Sequence, residues 1–261
     1  MPNTQTSGPS WCDLSAATHL ERLRAAELEL IREYLPAGSQ ILELGGGDGY
    51  QAAILSMWGH HVTSVDIALP ASGHAKFYPV ALYDGKTLTY DDGRFDVVFS
   101  SNVLEHVKDL GSLLAESTRV LRRNGMTIHI LPSPYWRFWT SIAHYAYVAL
   151  RTLGAHGPVS GGVVQSVAEK IQRRGAWCVI RRALVAGPHG VYPSALSEIY
   201  YFSKHRWRKV FRDAGFEIVR VLKSGIFYTG YELLPGLSLE TRKKMAKALG
   251  SATYVYILRS K

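Results

Sequence analysis

Apolar residues recur with helical spacing from Leu20 to Leu35, where Leu20, Leu23, Leu30, Ile31 and Tyr34 share a face and Glu and Arg fill the gaps. Pro36, Ala37 and Gly38 stop that helix. Gln40–Leu44 is a short apolar run that leads into glycines, and Tyr50–Trp58 is helical again. His61–Val65 reads as a strand ending in Asp66. Lys76–Leu82, Phe95–Ser100 and Met126–Leu131 read as further strands, and Leu110–Leu121 as a helix. Strands alternating with helices predict a parallel sheet with helices on both faces. The nearly unbroken apolar runs Val97–Phe99 and Ile128-His129-Ile130-Leu131 suit strands buried on both sides.

The texture changes after Pro132. Residues 133–200 are rich in Tyr, Trp, His, Gly and Arg and show no clean period. Lys204–Ala214 is then a helix stopped by Gly215, and Phe216–Leu222 and Thr253–Arg259 are two more strands. The expected fold is α/β: a Rossmann-like, doubly wound, mostly parallel seven-stranded sheet with an inserted lid segment between strands five and six. One domain covers residues 1–261, with a core over 20–131, an inserted substrate-side segment over 133–200 and a return to the sheet over 203–261. An insertion of about sixty-five residues without a simple pattern points to a lid or a binding surface. No internal repeat or low-complexity tract is present.

Composition narrows this only a little. At 261 residues and 47% hydrophobic, the chain can bury a real core, and 20% charged residues argue against wholesale disorder. No run of 18 uncharged apolar residues predicts a membrane span. Met1–Ser10 lacks the basic-then-apolar export pattern, so a cytoplasmic protein is expected. Cys12 and Cys178, each beside a tryptophan, make neither a metal spacing nor a disulfide framework, and no metal is expected. Charge is lopsided. Residues 1–150 hold 11 Lys and Arg against 15 Asp and Glu, whereas residues 151–261 hold 19 against 6. The second half is either the place to meet an anionic partner or a plain solvated surface.

The chemistry begins at Ile41-Leu42-Glu43-Leu44-Gly45-Gly46-Gly47-Asp48-Gly49-Tyr50, a strand running through glycines into a helix. Glycine lets the backbone turn sharply and lets a ligand approach the main chain. The Gly-Lys-Ser/Thr of a phosphate loop is absent, and Tyr50 holds the third glycine position of the dinucleotide fingerprint. Asp66 ends the next strand, near the switch point where open sheets bind ligands. Tyr83-Asp84-Gly85-Lys86-Thr87-Leu88 follows, then Phe95–Val107 and Val120-Leu121-Arg122-Arg123-Asn124-Gly125-Met126.

These four motifs in order resemble the cofactor half of class I S-adenosylmethionine (SAM)-dependent methyltransferases, closest to the type 11 methyltransferase group. Glu43-x-Gly45-x-Gly47-x-Gly49 is similar to that family's first motif. The resemblance implies SAM as cofactor, a ribose contact for Asp66 and an adenine contact for Asp84. It extends the cofactor set to Gly46, Ile67, Gly85 and Ser101. Leu88-Thr89 departs from the family's usual Leu-Pro.

Methyl transfer from a sulfonium needs nucleophile, carbon and sulfur held in line, and an oxygen nucleophile needs a base. His106, just after the fourth strand, is either that base or a histidine lining the pocket. His189, in Gly187-Pro188-His189-Gly190, is a second catalytic candidate or a turn residue; His144, His156 and His205 have weaker claims. Glu105 reads as a helix-start residue. Glu198 and Tyr201 are either substrate contacts or surface residues. Ser101-Asn102-Val103-Leu104 lacks the Pro-Pro signature of base-amine methylation, and Cys178 sits in an apolar run unsuited to a nucleophile. The acceptor is therefore expected to be an oxygen on a glycan, a lipid-linked or another small molecule. The aromatic stretch from Pro134 to Leu150 and Arg173, Arg174, Arg181 and Arg182 around Trp177 suit an anionic acceptor or a peripheral membrane contact at the inner face. An RNA methyltransferase and a non-catalytic binding protein of the same fold are the alternatives; nucleic acid is the weaker partner because no binding motif accompanies the charge.

Overall fold

The computed structural model describes residues 18–70, 72–152, 186–231 and 233–260. The expectations for Cys12, His156, Arg173, Arg174, Trp177, Cys178, Arg181 and Arg182 lie outside the described residues.

Helix α1 spans His19–Glu29 and opens with a capping box in which Thr18 and Glu21 satisfy each other's main-chain N–H groups. Strand β1 (Gln40–Leu44) follows, then α2 (Tyr50–Met57), β2 (His61–Asp66), β3 (Val80–Leu82) and β4 (Phe95–Ser101). Next come α3 (Leu110–Val120), β5 (Leu121–Pro132), α4 (Pro134–Thr152), α5 (Ala195–Tyr201), α6 (Lys204–Asp213), β6 (Phe216–Lys223), α7 (Leu239–Leu249) and β7 (Thr253–Ser260).

The seven strands lie in the order β3-β2-β1-β4-β5-β7-β6. All neighbours are parallel except β7, which runs antiparallel to both β5 and β6. Alternate side chains feed two cores, as a strand's period of two requires. Leu42, Leu44, Val98 and Tyr256 pack on one face with Leu113, Trp207 and Phe211. Ile41, Val97, Phe99, Ile128 and Ile257 pack on the other with Leu28, Ile31 and Ile54. The order reverses between β1 and β4, which leaves a crevice at their carboxyl ends.

Two elements differ from expectation. The strand expected over Lys76–Leu82 is only Val80–Leu82. Phe77 instead donates its N–H to the Asp48 carbonyl at 2.9 Å and packs edge-on against Tyr50, and Pro79 has no N–H for a ladder. The segment after Pro132 opens with a 19-residue helix, α4. Its polarity is mixed against its burial: Arg137, Thr140 and His144 are buried beside Trp136 and Ala143, while Tyr135, Phe138, Ile142 and Tyr145 are exposed. The buried polar groups find partners. Gly230 donates to Thr140 at 3.0 Å, and His144 Nδ1 pairs with the Tyr231 hydroxyl at 2.8 Å.

Candidate active site

The glycine loop is folded back onto the end of β2. Gly45 and Gly46 N–H groups both donate to the Val65 carbonyl, at 2.8 and 3.1 Å. Gly45, Gly47 and Gly49 hold φ of 76°, 53° and 77°, which side chains resist. A Cβ on Gly45 would lie 2.3 Å from Val103 Cγ2, and one on Gly49 would meet the Tyr78 main chain at 2.4 Å. A Cβ on Gly47 would meet nothing within 4 Å, so that side of the loop is open.

Asp66 braces the loop: its Oδ2 accepts from Gly47 N–H at 2.9 Å and its Oδ1 from Ala68 N–H at 3.3 Å. Asp84 closes its own turn. Its Oδ1 accepts from Lys86 and Thr87 N–H groups at 2.8 and 2.7 Å, and these bonds hold the carboxyl below its ordinary value. Ile67 is exposed beside Gly85, where an added Cβ would come within 3.1 Å of Ile67 Cγ2. Ser101, half-buried, ends β4. Glu43 lies beneath the loop, buried, and accepts from Ser64 Oγ at 2.6 Å. Burial pushes Glu43 up to about 7, against the Ser64 bond and with help from Asp66.

A second constellation stands one strand over, after β4. The short 3-10 turn Leu104–His106 holds Glu105 wholly buried and His106 43% exposed at its side chain. His106 Nε2 lies 3.8 Å from Glu105 Oε1, and His189 Nε2 lies 3.9 Å from the same oxygen. The two imidazoles meet edge to face with centroids 4.7 Å apart, and Trp136 packs on His189 at the same distance. Burial lowers His106, and burial together with His106, Arg137 and Arg24 pushes His189 down to about 4. Burial pushes Glu105 up to about 8.

A profile of the methyltransferase-domain family matches residues 16–221. This chain belongs to the methyltransferase-domain family. Among curated relatives, an uncharacterized methyltransferase from Mycobacterium sp. (strain KMS) is 33% identical over 138 residues, covering 48% of this chain and 54% of that protein. A ubiquinone biosynthesis O-methyltransferase from Aromatoleum aromaticum is 29% identical over 100 residues, 34% of this chain and 42% of that protein. The chain thus spans about half the length of the curated relatives it matches. Among solved structures, an S-adenosylmethionine-dependent methyltransferase from Mesorhizobium loti shares the fold with TM-score 0.52 at 18% identity, covering 91% of this chain and 99% of that one. A Burkholderia thailandensis 1,6-didemethyltoxoflavin-N1-methyltransferase, solved with S-adenosylhomocysteine, gives TM-score 0.52 at 15% identity, covering 100% and 93%.

In this methyltransferase domain, the sequence candidates fall into two groups. Gly45, Gly46, Gly47, Gly49, Asp66, Ile67, Asp84 and Gly85 gather at the ends of β1 to β3, with Glu43 buried behind them. Ser101, His106 and His189 gather at the end of β4. His189 comes from the far end of the inserted segment and is strapped in place. Val191 N–H donates to the Glu105 carbonyl at 3.1 Å, and a Cβ on Gly190 would lie 2.3 Å from that oxygen.

One reading of the sequence needs correction. Glu198 is no surface residue: it is fully buried, and its Oε1 accepts from His189 and Gly190 N–H groups at 2.7 and 2.6 Å. Its Oε2 faces buried Arg137 at 3.4 Å. Glu105 does stand in the first turn of the short 3-10 helix, but it is 0% exposed, with no hydrogen bond to either side-chain oxygen among the described residues. Tyr201 stacks on Tyr192 at 4.1 Å, and His205 is exposed on α6. Sequence reasoning also missed Arg24 on α1. Its Nη1 donates to Glu27 at 2.7 Å and Tyr228 at 3.1 Å, and its Nη2 lies 3.2 Å from the Asn102 amide, oxygen turned inward. Asn102 holds φ of 56°, a conformation Asn adopts more readily than most residues.

Proposed function

We propose that this methyltransferase domain binds SAM over the Gly45–Gly49 loop and transfers its methyl group to an oxygen of a small-molecule, glycan or lipid-linked acceptor. The observation that carries this reading is the adjacency of the open glycine loop, braced by Asp66, and the His106–His189 pair at the next strand end. The residues suit the cofactor. Gly47 leaves open space, Asp66 ends β2 where a ribose hydroxyl can donate to it, and Asp84 directs both its turn bonds to Oδ1. When bound, the cofactor supplies an electrophilic methyl group on a sulfonium.

The chain's own residues do the rest. His106, kept neutral by burial, offers a lone pair to an acceptor hydroxyl in the metal-free protein. The O-methyltransferase name of the Aromatoleum relative and the absence of a Pro-Pro motif after β4 support an oxygen acceptor. The basic balance of residues 151–261 supports an anionic acceptor. The exposed stripe Tyr135, Phe138, Ile142 and Tyr145 on α4 supports a lipid-linked one. No helix among the described residues is long and apolar enough to cross a membrane.

Calorimetry with SAM tests the reading. Saturable binding is expected, weakened about tenfold or more in Asp66→Ala by loss of a charged hydrogen-bond acceptor. No binding at millimolar SAM sinks it. His106→Ala is expected to lower turnover with SAM affinity intact. Methyl incorporation into RNA, with steep salt dependence, would move the acceptor to the nucleic-acid class.

A further inference from the structure

The Glu105 carboxylate poses a problem that nothing described around it solves. It is wholly buried, and neither oxygen has a hydrogen-bond partner among the described residues. A buried polar group left unpaired costs stability and calls for an explanation. Protonation does not remove the difficulty, because the new O–H would itself need an acceptor and both imidazole nitrogens stand too far away, at 3.8 and 3.9 Å. Arg24 favours the charged form of Glu105 through space, but the nearby cations make their hydrogen bonds elsewhere. Arg24 from α1 bonds Glu27 and Tyr228, and Arg137 from α4 bonds Ser141 and faces Glu198 from α5.

What does face Glu105 is two imidazoles. Donor atoms of Glu105, His106 and His189 all lie within 4.8 Å of one another. A tetrahedral ion with ligands at about 2.0–2.2 Å would sit among such atoms after each moved by roughly an ångström or less. The rings can make that adjustment, since their side chains are 43% and 37% exposed. The main chain beneath them is fixed by the Val191–Glu105 bond and by Glu198 holding the N–H groups of His189 and Gly190.

We propose that Glu105, His106 and His189 form a binding site for a divalent transition-metal ion of the zinc class. Two imidazoles and one carboxylate suit zinc or cobalt better than magnesium or calcium, which prefer all-oxygen shells. Three protein ligands leave a coordination position open on the solvent side, the arrangement of a catalytic rather than a structural site. An acceptor hydroxyl taking that position is oriented and made more acidic by the ion. His106 then serves as a ligand, and its lone pair is no longer available as a base. The acceptor role rests on the methyltransferase reading above; the metal site itself does not.

Cobalt(II) titration of the full chain, followed by visible absorption, and calorimetry with zinc chloride test this directly. One ion per chain is expected, with affinity falling at least about tenfold in His106→Ala and in His189→Ala, and in Glu105→Gln. SAM calorimetry on the same samples reports whether each variant is folded. Failure of the wild-type chain to bind either ion at millimolar concentration overturns the proposal, and so does binding undiminished in both folded histidine variants. Cobalt binding without SAM binding would keep the metal site and discard the methyltransferase reading. SAM binding without cobalt binding would do the reverse.

Discussion

Gly190 has no side chain because the Glu105 carbonyl occupies the space where one would go, 2.3 Å from its Cβ position. Gly190→Ala is therefore expected to lift the loop carrying His189, at a cost of about 1–3 kcal/mol in thermal or urea unfolding. Turnover should fall more than SAM affinity, since the glycine loop lies elsewhere. Glu43 makes a pH prediction. Its folded value, about 7, lies above its ordinary 4.5, so the unfolded chain ionises first. Stability is then lost as pH rises from about 4.5 to 7, by roughly 3 kcal/mol in total. Unfolding curves of Glu43→Gln against wild type should show the wild type losing ground between about pH 4.5 and 7 and levelling off above that; parallel curves would contradict it. Residues of this kind differ in how legibly they are written. Gly45, Gly47, Asp66 and His106 could be picked out because strand ends and turns constrain residue type locally. Glu105 and Glu198 could not, because a carboxylate looks solvated until distant segments close over it.

At the level of elements, α4 and α5 are tied by a buried charge pair rather than by apolar packing alone. Glu198→Ala would strand the Arg137 guanidinium in the interior and take away the acceptor of the His189 and Gly190 N–H groups. A loss of about 3–5 kcal/mol is expected in equilibrium unfolding. An unchanged midpoint would show that the pair is not buried in solution. This same tie explains why α4 escaped notice. Its buried face mixes polar Arg137, Thr140 and His144 with Trp136 and Ala143, and its exposed positions Tyr135, Phe138 and Ile142 are apolar, so no single hydrophobic face stands out. The central strands had less conflict. Val97–Phe99 is an unbroken apolar run buried on both faces, and Ile128–Leu131 is interrupted only by buried His129, which pairs with Ser100 at 2.8 Å. β3 was overextended because Phe77 and Tyr78 look like strand residues yet bond elsewhere, Phe77 N–H to the Asp48 carbonyl of the glycine loop at 2.9 Å and the Tyr78 hydroxyl to the Val62 carbonyl of β2 at 2.8 Å.

For the whole molecule, ligand and fold share one free energy. If SAM binds only the folded state, a hundredfold excess over its Kd adds about 2.7 kcal/mol. That corresponds to a rise in Tm of roughly 5–10 °C for a domain of this size. Differential scanning measurements should show the rise in the wild type and a smaller one in Asp66→Ala at equal SAM. The sheet order carries a different consequence, for synthesis. Among the described strands β6 pairs only with β7, and β7 slots between β5 and β6. As the chain leaves the ribosome, β6 emerges about thirty residues before the strand it must hydrogen-bond, while β1 to β5 already have one another. The nascent domain therefore carries an unpaired edge along β5 and a solitary β6 until residues 253–260 arrive. That interval is when a chaperone has most to bind and when a neighbouring copy could most easily donate the missing strand.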